Sequence, residues 1–130
     1  MIVIDASAAF EWLLGGDGVE AIERHVLAAG AVLHAPHLLD VEVAQVLRRG
    51  VAAGKFTSAR ADAALDDLAS FPLYRHAHDV FLRRIWALRH NMTAYDAVYV
   101  ALAETLDAPL MTRDRKLAGA AARYVRMAVV

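Results

Sequence analysis

Strands and helices alternate along the chain. This predicts an α/β fold in which a mainly parallel sheet of four to five strands is flanked by helices. Three observations carry that prediction. Short apolar runs such as Ile2-Val3-Ile4 and Leu110-Met111-Thr112 do not alternate in polarity, as expected of strands covered on both faces. Longer segments between them repeat their apolar residues at helical spacing. Gly, Pro, Thr and Asp mark the joins. No linker, repeat or low-complexity stretch interrupts the pattern, so residues 1–130 read as a single domain.

The first strand, Met1 to Ile4, runs straight into Asp5, and Ala6 to Leu14 follows as a helix stopped by Gly15-Gly16. A second helix is expected over residues 17–29, with Asp17 as its cap, Val19, Ile22, Val26 and Leu27 as its stripe, and Gly30 as its stop. Ala31 to Ala35 reads as a strand ended by Pro36, and Leu38 to Val51 as a helix with Leu39, Val43, Val46 and Leu47 on one face. Thr57 or Ser58 caps a helix reaching Ala69, with Ala61, Leu65 and Leu68 inward and Asp62, Asp66 and Asp67 outward. Phe71 to Tyr74 is a weaker strand, and Asp79 to His90 is helical. Thr93 caps Ala94 to Leu106, a helix apolar nearly all round and therefore expected to be buried. Ala108 to Thr112 is the fourth strand, Arg115 to Ala122 a helix, and Tyr124 to Met127 the last strand.

Composition narrows the function classes. Of the 130 residues 58% are hydrophobic, but 28 are alanine, a helix former, and no apolar run reaches the roughly 20 residues that span a bilayer. The N-terminus shows no signal-peptide pattern, so a cytoplasmic protein without membrane attachment is expected. With no cysteine there are no disulfides, thiolate zinc sites or cysteine nucleophiles. Net charge is −1, yet residues 1–74 carry 5 Lys/Arg against 10 Asp/Glu and residues 75–130 carry 9 against 5. The Arg-rich second half suits an anionic partner such as phosphate.

Four acids stand where burial is expected. Asp5 and Asp114 each follow a strand directly, on the same sheet edge if the strands are parallel. Glu42 interrupts an apolar helix face, and Asp96 lies in the first turn of the buried helix. Each has a plain alternative as a helix cap or solvent-edge residue. Together, four carboxylates in one place would repel one another, and a hard divalent cation such as Mg²⁺ would resolve the repulsion. Such a centre suits phosphoryl chemistry. Without metal the cluster should be strained, so Asp5→Asn is expected to raise stability.

The chain resembles the PIN-domain ribonucleases, most closely the VapC toxins of toxin–antitoxin pairs. The resemblance rests on Val3-Ile4-Asp5-Ala6-Ser7-Ala8, on Leu39-Asp40-Val41-Glu42-Val43 continuing to Leu47, on Thr93 through Ala103, and on Leu110-Met111-Thr112-Arg113-Asp114-Arg115-Lys116-Leu117. It spans essentially the whole chain and implies a PIN-like α/β/α sandwich. It further implies that Asp5, Glu42, Asp96 and Asp114 ligate Mg²⁺ (or Mn²⁺) and hydrolyse RNA with water as nucleophile, without a covalent enzyme intermediate. Ser7 and Thr112 would support the acids through hydrogen bonds. A homodimer is implied, as is a cognate VapB-like antitoxin that occupies the active-site groove and reaches DNA on the toxin's behalf. Arg113, Arg115 and Lys116, beside Asp114, are candidates to hold RNA phosphate.

Other readings fit less well. His34 and His37, or His76 and His78, are close in sequence, but no HExxH or cysteine partner accompanies them. No G-x-S-x-G marks a serine nucleophile. A phosphoacceptor domain would want paired acids after the first strand, and a haloacid-dehalogenase-like phosphatase a second Asp where Ser7 stands. The remaining alternative is a solitary or non-catalytic PIN-fold RNA-binding module, against which the intact set of four acids argues.

Overall fold

A computed structural model describes residues 1–28 and 30–130, apart from the Val129 side chain. Five strands, β1 (Ile2–Ile4), β2 (Leu33–Pro36), β3 (Leu73–His76), β4 (Leu110–Thr112) and β5 (Met127–Val129), form one sheet in the order β3-β2-β1-β4-β5. Every pairing is parallel, with Val3 opposite His34 on one side and Leu110 on the other. β1 is central, and Ile2, Val3 and Ile4 are at most 3% exposed, each contributing roughly 1.5–3 kcal/mol by burial.

The helices α1 (Ala6–Leu14), α2 (Val19–Ala28), α3 (Leu38–Ala52) and α4 (Ser58–Ser70) lie in the crossovers from β1 to β2 to β3. Right-handed crossovers place them on one face. The return from β3 to β4 carries a 3₁₀ turn (Asp79–Phe81), α5 (Leu82–Ala87) and α6 (Ala94–Leu106), and α7 (Arg115–Ala121) joins β4 to β5, all on the opposite face. The result is the expected α/β/α sandwich. Strand order reverses between β1 and β4, and the crevice beyond the carboxyl ends at such a switch point is where open α/β sheets bind ligands. No helix among the described residues is long and apolar enough to cross a membrane.

α6 is the closest match to expectation. Thr93 Oγ1 accepts the Asp96 N–H at 3.2 Å, and Ala97 through Ala103 are all buried. Its alanines let the helix lie close to β1 and β2. α3 carries a buried glycine, Gly50, normally worth about 1 kcal/mol of lost helix stability. A Cβ there would overlap the Phe56 ring, so the glycine permits that ring to pack.

Several boundaries differ from the sequence reading. Asp17 does not cap α2, which begins at Val19, Leu27 is 77% exposed, and Ala29 lies outside the described residues. Pro36 closes β2 from within the strand. In α4 Ala64 is buried, whereas Leu65 is 40% exposed.

β3 is displaced to Leu73–His76 because Phe71 instead caps α4 and packs edge-on against Trp12 at 4.8 Å. Its polar residues suit an edge strand: Arg75 donates to Asp40 Oδ2 and the Leu68 carbonyl, both at 2.8 Å. The expected helix over residues 79–90 is a 3₁₀ turn plus the short α5, and Val80, Leu82 and Trp86 remain exposed. Tyr124 and Val125 return their N–H groups to the Ala121 carbonyl, extending the turn after α7, so β5 starts only at Met127.

Candidate active site

Asp5 ends β1 and caps α1, so its side chain sits at the switch point with its backbone N–H bonded to the Met111 carbonyl of β4 at 3.0 Å. It is 4% exposed. Burial of a carboxylate this deep must be met by donors, and three meet it. Oδ1 accepts from the Ala8 N–H at 3.0 Å and from Ser7 Oγ at 2.7 Å, while Oδ2 accepts from Thr112 Oγ1 at 2.5 Å. Burial nonetheless raises its pKa; the Thr112, Ala8 and Ser7 bonds oppose the rise, and the Asp114 charge adds to it.

The same two hydroxyls hold the loop after β4. Ser7 Oγ accepts the Arg113 N–H at 2.9 Å, and Thr112 Oγ1 accepts the Asp114 N–H at 2.9 Å. Each hydroxyl therefore accepts a hydrogen bond from the loop backbone and donates one to Asp5. The supporting role expected for Ser7 and Thr112 thus has a geometry. Asp114 in turn caps α7, its Oδ1 accepting from the Lys116 and Leu117 N–H groups at 2.8 and 3.2 Å, and it is exposed at the rim.

Glu42 faces the site from α3. Its Oε1 accepts the Tyr99 hydroxyl of α6 at 2.7 Å, which ties the two helices across the sheet edge. Burial raises its pKa, the Tyr99 bond lowers it, and Asp5 and Asp96 raise it again. Tyr99 is 2% exposed, and burial followed by the Glu42 charge pushes its phenol far above the usual range, so it remains a donor. Asp96 is half-buried, with its pKa raised by burial and by Asp114 and lowered by Lys116 and the Thr93 hydroxyl.

All four acids line one open cavity of about 290 Å³, together with Ser7, Gln45, Arg49 and Tyr99. The capping and ligand readings are thus compatible: Asp5 and Asp114 cap helices and still present carboxylates to the cavity. As the side chains stand, no three acidic or histidine side chains among the described residues close on a common ion position. The donor set itself suits a hard cation: carboxylate oxygens only, on elements from both faces of the sheet, with three of the four pushed toward protonation.

Comparison with known proteins identifies the family. A family model described as PIN domain matches residues 2–123. The chain belongs to the PIN-domain family. It is 44% identical over 119 residues to Ribonuclease VapC1 of Mycobacterium tuberculosis, covering 91% of this chain and 89% of that protein. It is 42% identical over 117 residues to Ribonuclease VapC9 of the same organism, covering 90% and 88%. A crystal structure of PAE2754 from Pyrobaculum aerophilum superposes with a TM-score of 0.68 at 26% sequence identity, over 98% of this chain and 81% of that one.

Within this PIN domain the basic residues divide by role. Arg113 points away from the cavity: its guanidinium lies 3.7 Å from Glu11 and 3.4 Å from Asp17. A Cβ on Gly18 would overlap it, and Glu11 also accepts the Gly18 N–H at 2.7 Å. Arg113 thus fastens the loop after α1 to the loop after β4, and the phosphate role considered for it has no geometric support. Arg115 and Lys116 are exposed, Lys116 close enough to Asp96 to lower its pKa.

Three cavity residues were given no role by the sequence reading: Tyr99, Gln45 and Arg49. For the last two a signal was present. Glu42, Gln45, Val46 and Arg49 follow the i, i+3, i+4, i+7 spacing of one helix face. The histidines belong elsewhere. His34 Nδ1 lies 2.8 Å from His76 Nε2, a ring-to-ring hydrogen bond between β2 and β3.

Proposed function

We propose that this PIN domain is a metal-dependent endoribonuclease and the toxin of a VapBC-type pair. In this reading it works in the cytoplasm as a homodimer, is held inactive by a VapB-like antitoxin, and meets DNA only through that antitoxin. The observation that carries the reading is the meeting of Asp5, Glu42, Asp96 and Asp114 at the switch point of the sheet. The likeness to proteins named as VapC ribonucleases supports the choice of RNA.

Asp5, Glu42, Asp96 and Asp114 would hold the Mg²⁺ or Mn²⁺. When bound, such an ion offsets charge developing on the phosphate and makes water more acidic. The rest falls to the protein. Asp5, fixed by three donors, is the rigid corner of the acid set, and Tyr99 fixes the reach of Glu42. Asp114, exposed at the rim, stands on the side open to an RNA backbone. Burial raises the pKa of both Glu42 and Asp96, so each holds a proton more readily when no cation lies beside it.

Cleavage of a mixed RNA pool tests the proposal. Wild type with Mg²⁺ or Mn²⁺ should cut, EDTA should stop it, and Asp5→Asn and Asp96→Asn should each lose at least about a hundredfold in rate. Undiminished cutting in EDTA, or by both variants, would sink the metal-site reading. Tight RNA binding without cleavage under any metal would make the chain a binding module instead.

A further inference from the structure

We propose that Arg49 binds an RNA phosphate beside the bond that is cut, a reading that rests on the ribonuclease function proposed above. Among the described residues that line the acid cavity, Arg49 is the one cation. It lies on the same α3 face as Glu42, seven residues further on, which is about 10 Å along the helix axis. Helical side chains lean toward the N-terminus of their own helix, so Arg49 leans back toward Gln45 and Glu42.

Its lack of a partner is informative. Arg49 shares its cavity with four carboxylates, yet among the described residues it forms no ion pair and no side-chain hydrogen bond. Of the other cations close to the acids by sequence, Arg113 is already engaged by Glu11 and Asp17, while Arg115 and Lys116 are exposed and do not line the cavity. Arg49 therefore keeps its fork of donors for something that enters the cavity, and an anion suits it. An RNA strand whose scissile phosphate lies against the acids must lay a neighbouring phosphate along the cavity wall. Bidentate Arg–phosphate geometry matches that need. Arg48, the adjacent residue, is exposed but does not line the cavity, and it supplies an internal control.

The experiment has two arms. In the first, steady-state cleavage of a single-stranded RNA is compared for wild type, Arg49→Ala, Arg49→Lys and Arg48→Ala. Arg49→Ala should raise KM about tenfold with little change in kcat, and Arg49→Lys should recover part of the loss. Arg48→Ala should match wild type. In the second, RNA binding is measured against salt in the Asp96→Asn background, where cleavage does not interfere. Adding Arg49→Ala should lower the slope of log affinity against log salt by about 0.7, one phosphate contact to a single strand.

An unchanged KM and salt slope overturns the proposal, as does an equal effect of Arg48→Ala. A fall in kcat alone, or no RNA binding by the Asp96→Asn protein, overturns it too. The two readings fail separately. Weakened binding by Arg49→Ala in a protein that never cuts RNA leaves the phosphate contact standing and removes the ribonuclease. Cleavage indifferent to Arg49 does the reverse.

Discussion

The buried Tyr99 hydroxyl donates to Glu42 Oε1 at 2.7 Å across 57 positions of sequence, and among the described residues it is the one side-chain hydrogen bond that Glu42 makes. Glu42 is the acid with the longest free side chain, and burial already pushes it toward protonation. Tyr99→Phe keeps the packing and removes the donor. It should cost about 1 kcal/mol of stability and lower RNA cleavage or metal affinity by about 10-fold or more. Thermal unfolding and cleavage rates on one preparation check this; a full loss of the fold, or cleavage at the wild-type rate, would contradict it.

Mutual repulsion among the acids predicts which amide variant gains stability, and the structure changes the answer. Asp5 was expected to gain by conversion to Asn, but its carboxylate satisfies three donors, and Asn cannot accept at both positions. Asp96 has no such set and is raised by burial and by Asp114. A carboxyl whose folded pKa is raised contributes stability that is complete below the unfolded value and is lost as pH rises through the folded one. At neutral pH without metal, Asp96→Asn should therefore be more stable than wild type. The gain should stay below about 1 kcal/mol, since the group is half exposed to solvent screening. Asp5→Asn should be no more stable than wild type. Mn²⁺ at a hundred times its Kd should add about 2.7 kcal/mol to wild type and far less to either variant. Melting temperatures with and without metal decide all three points.

Thr112 is fully buried and serves two partners, so stability should be sensitive to the loss of its hydroxyl. Thr112→Val leaves Asp5 Oδ2 without its donor and the Asp114 N–H without its acceptor. One buried carboxylate oxygen and one part-buried N–H left unsatisfied should together cost about 2–4 kcal/mol. Thr112→Ser restores both bonds and should recover most of the stability and the cleavage. A Thr112→Val protein as resistant to urea as wild type would refute the bridging role.

The parts of this architecture written in local sequence were readable. Asp5 and Asp114 follow apolar strands directly, and the Thr93 cap with an all-round apolar helix announced α6. What the sequence concealed was set by distant contacts. Phe71 looked like a strand residue until Trp12 claimed it, and Arg75, just beyond the expected strand, is held on its edge by Asp40. Arg113 sits beside Asp114 in sequence but turns to Glu11 and Asp17. Tyr99 read as one more apolar residue of α6, because nothing local reveals that its hydroxyl meets a carboxylate on another helix. Arg49 is different: its seven-residue spacing from Glu42 was present all along.

Away from the acids, His34 should make the fold sensitive to mild acid. It is 8% exposed on β2, with its Nδ1 against His76 Nε2 and its Nε2 without a partner. The 2.8 Å contact needs one N–H and one lone pair, so a proton added to both rings sets two donors against each other. Burial lowers the His34 pKa first, then the neighbouring His76, then the N-terminal ammonium. The unfolded chain takes up its proton near the ordinary value of about 6.5. A folded pKa below that means the stability contributed is complete above the unfolded value and is lost as pH falls through the folded one. The free energy of unfolding in urea should thus drop from about pH 7.5 to about pH 5.5. His34→Phe removes the titrating ring, while His76, which is partly exposed, can turn to water. That variant should lose a measurable part of the pH slope over the same range. An identical slope in wild type and His34→Phe would mean that the acid sensitivity originates elsewhere in the chain.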